Sequence, residues 1–286
     1  MEADIVARTE IAYREVDAAP IRGATLWQLA GNIVRLWRGY RQALRLLDQW
    51  LADVVLVSGA YISVPMALAA WRQRIPAMVY LPDREPGLAV RLLSRFVQRI
   101  AVSFDQVVDT FPDAVRRKVW VSGYPVRAAL LDADRAQGYH VLGLDPELKT
   151  LLVMGGSHGA RPINRALVAI LSELLSHCQV IHIAGRLDWP WVEAEQNRLS
   201  PEIRPRYRAY AYLYEELPAA MAVADLVVAR AGASTLAEFP AVGVPSILVP
   251  YPYSGKHQEA NADFMVARGA SIRLDDAALD AQLKGT

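Results

Sequence analysis

Short apolar runs alternate with amphipathic stretches along most of this chain, and the connections between them are short. Residues 54–57 read as a buried strand, 64–71 as a helix, 77–80 as a strand, 88–96 as a helix and 99–102 as a strand. Largely apolar strands separated by helices fit a parallel sheet, because each crossover helix returns the chain to the same end and covers a sheet face. After a polar stretch at 132–143 the pattern restarts, with strands at 151–154, 180–183, 226–228 and 246–249 and helices at 162–175 and 234–242. The expectation is an α/β protein of two similar parallel-sheet domains, residues 1–130 and 145–286, joined near 128–145. A length of 286 residues suits two such domains.

The first domain reads as incomplete. A doubly wound nucleotide fold opens on a strand, a glycine-rich turn and a helix, whereas this chain opens on a polar segment and a helix-like run at 27–51, so upstream residues are expected. The last residues, 278–286, read as the start of a further helix.

Composition removes several function classes. Lys plus Arg number 31 and Asp plus Glu 30, a net charge of +1 that gives no global field for nucleic acid. Cys178 is the single cysteine and has no internal disulfide partner, which fits a reducing compartment and places the protein in the cytoplasm. No apolar run reaches the roughly 18–20 residues of a membrane-spanning helix, and Met1-Glu2-Ala3-Asp4 does not begin a signal peptide.

Two segments have the form of anion sites. Gly155-Gly156-Ser157-His158-Gly159-Ala160-Arg161 follows a buried strand and precedes a helix, where backbone N–H groups and the helix dipole favour a phosphate and glycine permits close approach. Its spacing is neither the dinucleotide fingerprint nor the Walker loop, and a simple tight turn has the same letters. Ala229-Arg230-Ala231-Gly232-Ala233-Ser234-Thr235 repeats the arrangement, with Ser234 or Thr235 able to cap a helix that carries Glu238. Glu238 suits a ribose diol, or equally a carboxylate favoured by the helix dipole. His257-Gln258-Glu259-Ala260-Asn261 follows another strand and brings imidazole and amide groups to the same edge, as sugar ligands or as a polar helix start.

A third feature is a basic helix. Arg35, Arg38, Arg41 and Arg45 fall on neighbouring positions of one helical face beside Trp37 and several leucines. That pattern suits an anionic membrane surface, and also a solvated face whose arginine stems cover apolar surface.

Together these segments, from about Glu2 to Asp276, resemble the family 28 glycosyltransferases. The family's nucleotide-sugar site is carried by Gly-Gly-Ser-x-Gly-Ala-Arg, Arg-Ala-Gly-Ala-Ser-Thr-x-x-Glu and His-Gln-x-x-Asn, all present here. Gly123-Tyr124-Pro125-Val126-Arg127 matches an interdomain Gly-Asn-Pro-Val-Arg, and Ser58-Gly59-Ala60-Tyr61-Ile62-Ser63-Val64-Pro65 is similar to a loop of the first domain. The resemblance implies a GT-B fold, two Rossmann-like domains facing a cleft. It also implies inverting transfer of N-acetylglucosamine from UDP-GlcNAc to a lipid-linked acceptor of the undecaprenyl-diphospho-muramoylpentapeptide kind, at the inner face of the cell membrane. Gly156, Ser157, Gly159 and Arg161 with Gly232, Ala233, Ser234 and Thr235 would hold the diphosphate and Glu238 the ribose. His257, Gln258 and Asn261 would surround the sugar, and Tyr214 and Leu217 the uracil edge. Arg127 would stabilise the departing UDP, Tyr61 and Ser63 would stand on the acceptor side, and neither metal nor other cofactor is implied.

The chain also departs from the family. The glycine-rich loop whose His is the proposed general base has no counterpart here, so a partner subunit supplying it is one expectation. The family's His-Glu-Gln-Asn before Pro-Gly-Leu is replaced by Tyr80-Leu81-Pro82-Asp83-Arg84-Glu85, in which Asp83 alone keeps polar character, as acceptor ligand, base or turn residue. Two other functions fit the same fold: a catalytically silent or split nucleotide-sugar-binding subunit, and a nonhydrolysing UDP-sugar epimerase.

Overall fold

A computed structural model describes residues 6–7, 9–19, 26–156, 159–253 and 257–283. The chain divides into two compact units, Met1–Gly123 and Tyr124–Thr286.

In the first unit, helix α1 (Leu26–Trp50) precedes β1 (Val55–Val57), α2 (Ser63–Gln73), β2 (Ala77–Leu81), α3 (Leu88–Leu93), β3 (Arg99–Val102), α4 (Asp113–Arg116) and β4 (Val119–Val121). The four strands lie in the order β1-β2-β3-β4, all parallel. Alternate residues of β2 point into the core, where Ala77, Val79 and Leu81 meet Ile100 and Val102 of β3, Ala43 and Leu47 of α1, and Ala67 and Ala70 of α2. A side-chain period of two on the sheet and three to four on the helices produces that seam. The sequence reading of 54–57 as a buried strand needs correction. Val55 and Val57 are buried but Leu56 is 64% exposed, because among the described residues β1 pairs only with β2 and has one face covered.

The second unit begins with α5 (Ala128–Leu131) and α6 (Arg135–Leu142). The stretch at 132–143, read from the sequence as part of the junction, is packed structure: Asp134 caps α6 by accepting from the Gln137 N–H at 2.6 Å, and Arg135 reaches Asp225 at 3.0 Å. The division between units therefore falls earlier than the 128–145 junction, at Gly123 and Tyr124. There follow β5 (Thr150–Met154), α7 (Arg161–Ala169), α8 (Leu171–His177), β6 (Gln179–Ile183), α9 (Trp189–Arg198), β7 (Tyr207–Tyr210), α10 (Leu217–Val223), β8 (Leu226–Ala229), α11 (Thr235–Val242), β9 (Ser246–Leu248), α12 (His257–Val266), β10 (Ser271–Arg273) and α13 (Asp276–Leu283). The helix expected over 162–175 is two helices meeting at Ile170.

All six strands of this unit are parallel, in the order β10-β9-β8-β5-β6-β7. From β5 the chain winds outward to β7, returns to the centre, and winds the other way from β8 to β10. The carboxyl ends of β5 and β8 are thus neighbours whose following helices leave on opposite faces, the crevice where open α/β sheets bind ligands.

Candidate functional site in the second unit

Both glycine-bearing turns open at that crevice. Gly156 and Gly159 each have φ +80°, the left-handed region that glycine adopts without Cβ strain. Space is a second reason at Gly159, where a Cβ would stand 2.2 Å from the Ala184 carbonyl oxygen. The turn feeds α7, which starts at Arg161 with Pro162 in its first turn. Ser157 and His158 lie outside the described residues.

The second turn leaves β8 and enters α11. The expected side-chain cap is not formed. Ser234 holds the N-cap position without a capping bond, and Thr235 Oγ1 donates instead to the Gly232 carbonyl at 2.6 Å. Gly156, Gly159, Arg161, Gly232, Ser234, Thr235 and Gln258 line one cleft of about 680 Å³. Gln258 Oε1 accepts from the Tyr251 N–H at 2.9 Å, which orients its amide. Asn261 lies behind the turn: it is buried and donates to the Ala231 carbonyl at 3.0 Å, so it shapes the wall.

The charged and aromatic residues Arg230, Tyr251, Tyr253 and Asp276 also line the cleft, with no role assigned from the sequence. Arg230 forms an ion pair with Asp276, the first residue of α13, and donates to the carbonyls of Val249 and Pro250 at 3.2 and 3.3 Å. It lies 5.4 Å from the Tyr251 ring centroid, and Tyr251 packs edge-on against Tyr253. Arg230 opens the Arg-Ala-Gly-Ala-Ser-Thr run, so its position was a readable signal. Its partner lies 46 residues away and was not.

Glu238 sits in the first turn of α11, and its carboxylate stands 3.6 Å from Arg127. Burial raises its pKa above the ordinary carboxylate value, outweighing the opposing pull of the Arg127 charge and the Ser234 hydroxyl. Tyr214 accepts from Arg186 at 2.6 Å and packs on Tyr212, and Leu217 starts α10. Tyr214, Leu217, Ala233, Glu238 and His257 do not line the cleft among the described residues.

Asp83 follows β2; burial chiefly, and the Asp83 charge to a lesser extent, raise the pKa of Tyr80, whose hydroxyl pairs with Ser103 at 2.8 Å. Tyr61 is exposed, while Ser63 is buried at the start of α2. Arg35, Arg38, Arg41 and Arg45 are exposed on α1, and Trp37 is 60% exposed. Trp37 and Tyr40 of α1 with Leu68 and Trp71 of α2 line an apolar groove of about 430 Å³. Trp71 also borders a basic depression containing Arg95, Arg99, Arg117 and Lys118. Among the described residues no helix is long and apolar enough to cross a membrane.

Comparison with known proteins adds to this geometry. The glycosyltransferase family 28 N-terminal domain matches residues 1–102 and the family 28 C-terminal domain residues 150–284. A curated relative from a Roseiflexus species, named UDP-N-acetylglucosamine–N-acetylmuramyl-(pentapeptide) pyrophosphoryl-undecaprenol N-acetylglucosamine transferase, is 40% identical over all of this chain, which covers 72% of that protein. One of the same name from Halothermothrix orenii is 37% identical over 98% of this chain and 76% of its own length. The crystal structure of Acinetobacter baumannii MurG superposes with a TM-score of 0.67 at 23% identity, covering all of this chain and 78% of its own. The UDP-GlcNAc 2-epimerase of Neisseria meningitidis, bound to UDP-GlcNAc, has a TM-score of 0.61 at 18% identity over 92% of this chain and 74% of its own, a likeness of fold alone.

Proposed function

Because this chain belongs to glycosyltransferase family 28, we propose that it transfers N-acetylglucosamine from UDP-GlcNAc to a lipid-linked acceptor of the undecaprenyl-diphospho-muramoylpentapeptide type, with inversion. The observation that carries the donor half is the pairing of two strand-to-helix turns at the β5 and β8 crevice. Positive-φ glycines let a diphosphate approach the backbone there, and the amino ends of α7 and α11 meet its charge. Glu238 takes the ribose hydroxyls and Gln258 the sugar.

In the reaction an acceptor hydroxyl oxygen bonds to the sugar's anomeric carbon as the bond from that carbon to the β-phosphate oxygen breaks. The hydroxyl proton passes to a base and the electron pair leaves with UDP. Arg127 and the two helix ends stabilise the charge growing on UDP, so the reading needs no metal. Asp83 orients the acceptor hydroxyl.

The acceptor's lipid tail places the reaction at a membrane. Exposed Arg35, Arg38, Arg41 and Arg45 beside Trp37 and the groove at Trp71 support peripheral docking of the first unit on the anionic inner face. Release of UDP from UDP-GlcNAc in the presence of the lipid-linked acceptor tests the whole reading. Acceptor-dependent release supports it. Donor binding with no release would favour a silent nucleotide-sugar-binding subunit instead.

A further inference from the structure

Five side chains beneath the first glycine turn form one continuous hydrogen-bonded line, most of it buried, that the reaction above does not use. The Tyr207 hydroxyl is 2.6 Å from His182 Nδ1, and His182 Nε2 is 2.9 Å from Asn164 Oδ1. Asn164 Nδ2 donates to the Ala184 carbonyl at 2.8 Å and to Asp188 Oδ2 at 2.9 Å. Asp188 Oδ1 accepts from Arg161 Nε at 2.8 Å and pairs with its Nη2 at 2.7 Å. Tyr207, His182 and Asn164 are fully buried and Asp188 nearly so.

The protons in this line have one arrangement. An amide nitrogen that donates to two oxygens has used both hydrogens, so Asn164 Oδ1 is an acceptor and His182 Nε2 carries the hydrogen. His182 Nδ1 is then bare and accepts from the Tyr207 hydroxyl. Asp188 is the terminal acceptor, and Arg161, which lines the cleft, is the group it holds. The same Asn164 also fixes the Ala184 carbonyl, the wall against which Gly159 is seated. A fully satisfied polar network in a core gains over apolar packing chiefly in fixing one geometry.

We propose that Tyr207, His182, Asn164 and Asp188 are positioning residues for the donor diphosphate, aiming the Arg161 guanidinium and seating Gly159 against the Ala184 carbonyl. The proposal rests on the nucleotide-sugar reading of this cleft. Asp188 engages the Nε side of Arg161, so the remaining N–H groups of the planar fork face the cleft in a fixed direction, the geometry that phosphate recognition uses. Acting through Arg161 and the turn, the line governs donor binding, so its loss falls on the donor KM and leaves kcat close to the parent.

Calorimetric titration with UDP-GlcNAc, with donor KM and kcat measured where the acceptor is turned over, tests this on variants whose circular dichroism matches the parent. His182→Leu breaks the line, whereas His182→Gln retains an N–H near the Nε2 position. Donor affinity is expected to fall about ten-fold in His182→Leu and to recover to within about three-fold in His182→Gln. Asp188→Asn keeps the volume and removes the anchoring charge, with a loss of about ten-fold, and serves if the leucine variant does not fold. Parental affinity in folded His182→Leu or Asp188→Asn overturns the proposal, as does an equal loss in the Leu and Gln variants. A parent protein that binds no UDP-sugar overturns the donor reading itself and this proposal with it, which separates the two failures.

Discussion

Arg127 and Glu238 stand 3.6 Å apart in the second unit, the arginine half exposed and the carboxylate side chain only 14% exposed. Arg127 lies four residues past the division between units and Glu238 in the first turn of α11. One residue assigned to the departing diphosphate therefore pairs with the residue assigned to the ribose, so each sets the charge environment of the other. Glu238→Ala should weaken UDP binding by about 1–3 kcal/mol, the cost of losing a hydrogen bond to a charged group. Titration calorimetry with UDP reads this directly, and an unchanged affinity in a folded variant would remove the ribose assignment.

The same pair gives a pH dependence whose sign is fixed. Burial raises the Glu238 pKa and the Arg127 charge lowers it, so the carboxylate protonates at a higher pH than an ordinary glutamate. UDP affinity should fall as pH is lowered through that range. In Arg127→Ala the midpoint of the fall should move up, because an opposing charge is gone. A midpoint that stays in place or moves down would contradict the coupling.

Gly156 and Gly159 share a φ of +80° but differ in their surroundings. A Cβ at Gly156 meets nothing within 4 Å, whereas one at Gly159 meets the Ala184 carbonyl oxygen at 2.2 Å. Gly156→Ala should cost about 1–2 kcal/mol of backbone strain. Gly159→Ala should cost distinctly more and reduce donor binding, since the backbone must move to admit the methyl. Thermal melts of the two variants decide it: equal losses would mean that φ alone matters.

Burial holds the His182 pKa down to about 4. In the unfolded chain it titrates near the ordinary histidine value, so between pH 6.5 and 4 the unfolded state binds a proton that the native state does not. Stability is therefore retained above about 6.5 and lost as pH falls toward 4, by roughly 3 kcal/mol at about 1.4 kcal/mol per pH unit. His182→Gln should remove this component from the acid melting curve of the second unit. A variant whose pH profile overlays the parent would show that His182 does not titrate in this way.

Vesicle co-sedimentation tests the basic helix. Replacing Arg35, Arg38, Arg41 and Arg45 by Gln should weaken binding to phosphatidylglycerol vesicles by about 1 kcal/mol per arginine at low salt, with less effect as salt rises. Trp37→Ser should weaken binding independently of salt, because it acts through apolar insertion. Parental binding by the four-arginine variant would leave those side chains as a solvated face.

How much of this was legible in the letters depends on how local each signal is. Residues 151–154 announce a strand because every side chain is apolar, and 180–183 do so with His182 as the one polar side chain among Val180, Ile181 and Ile183, while the two glycine turns are visible because helix entry after a strand has its own residue chemistry. Strand β7, Tyr207-Arg208-Ala209-Tyr210, is hidden because alternate positions are polar and its tyrosine is satisfied by a histidine from another strand. Helix α6 is hidden because Arg135, Gln137, Gly138 and His140 dilute the few apolar positions, Tyr139 and Leu142, that it buries. Asn261 reads as a sugar ligand from its motif, yet its amide holds the Ala231 carbonyl. Spacing alone does not say whether a polar residue faces the ligand or the backbone that faces the ligand.

The most direct measurement is calorimetric titration of this chain with UDP-GlcNAc, UDP-glucose and UDP, without added metal. The account predicts binding of all three at one site per chain, strongest for UDP-GlcNAc, and a loss of affinity for each in Glu238→Ala. Folded protein that binds none of them would contradict it, as would affinities that ignore the sugar and survive the loss of Glu238.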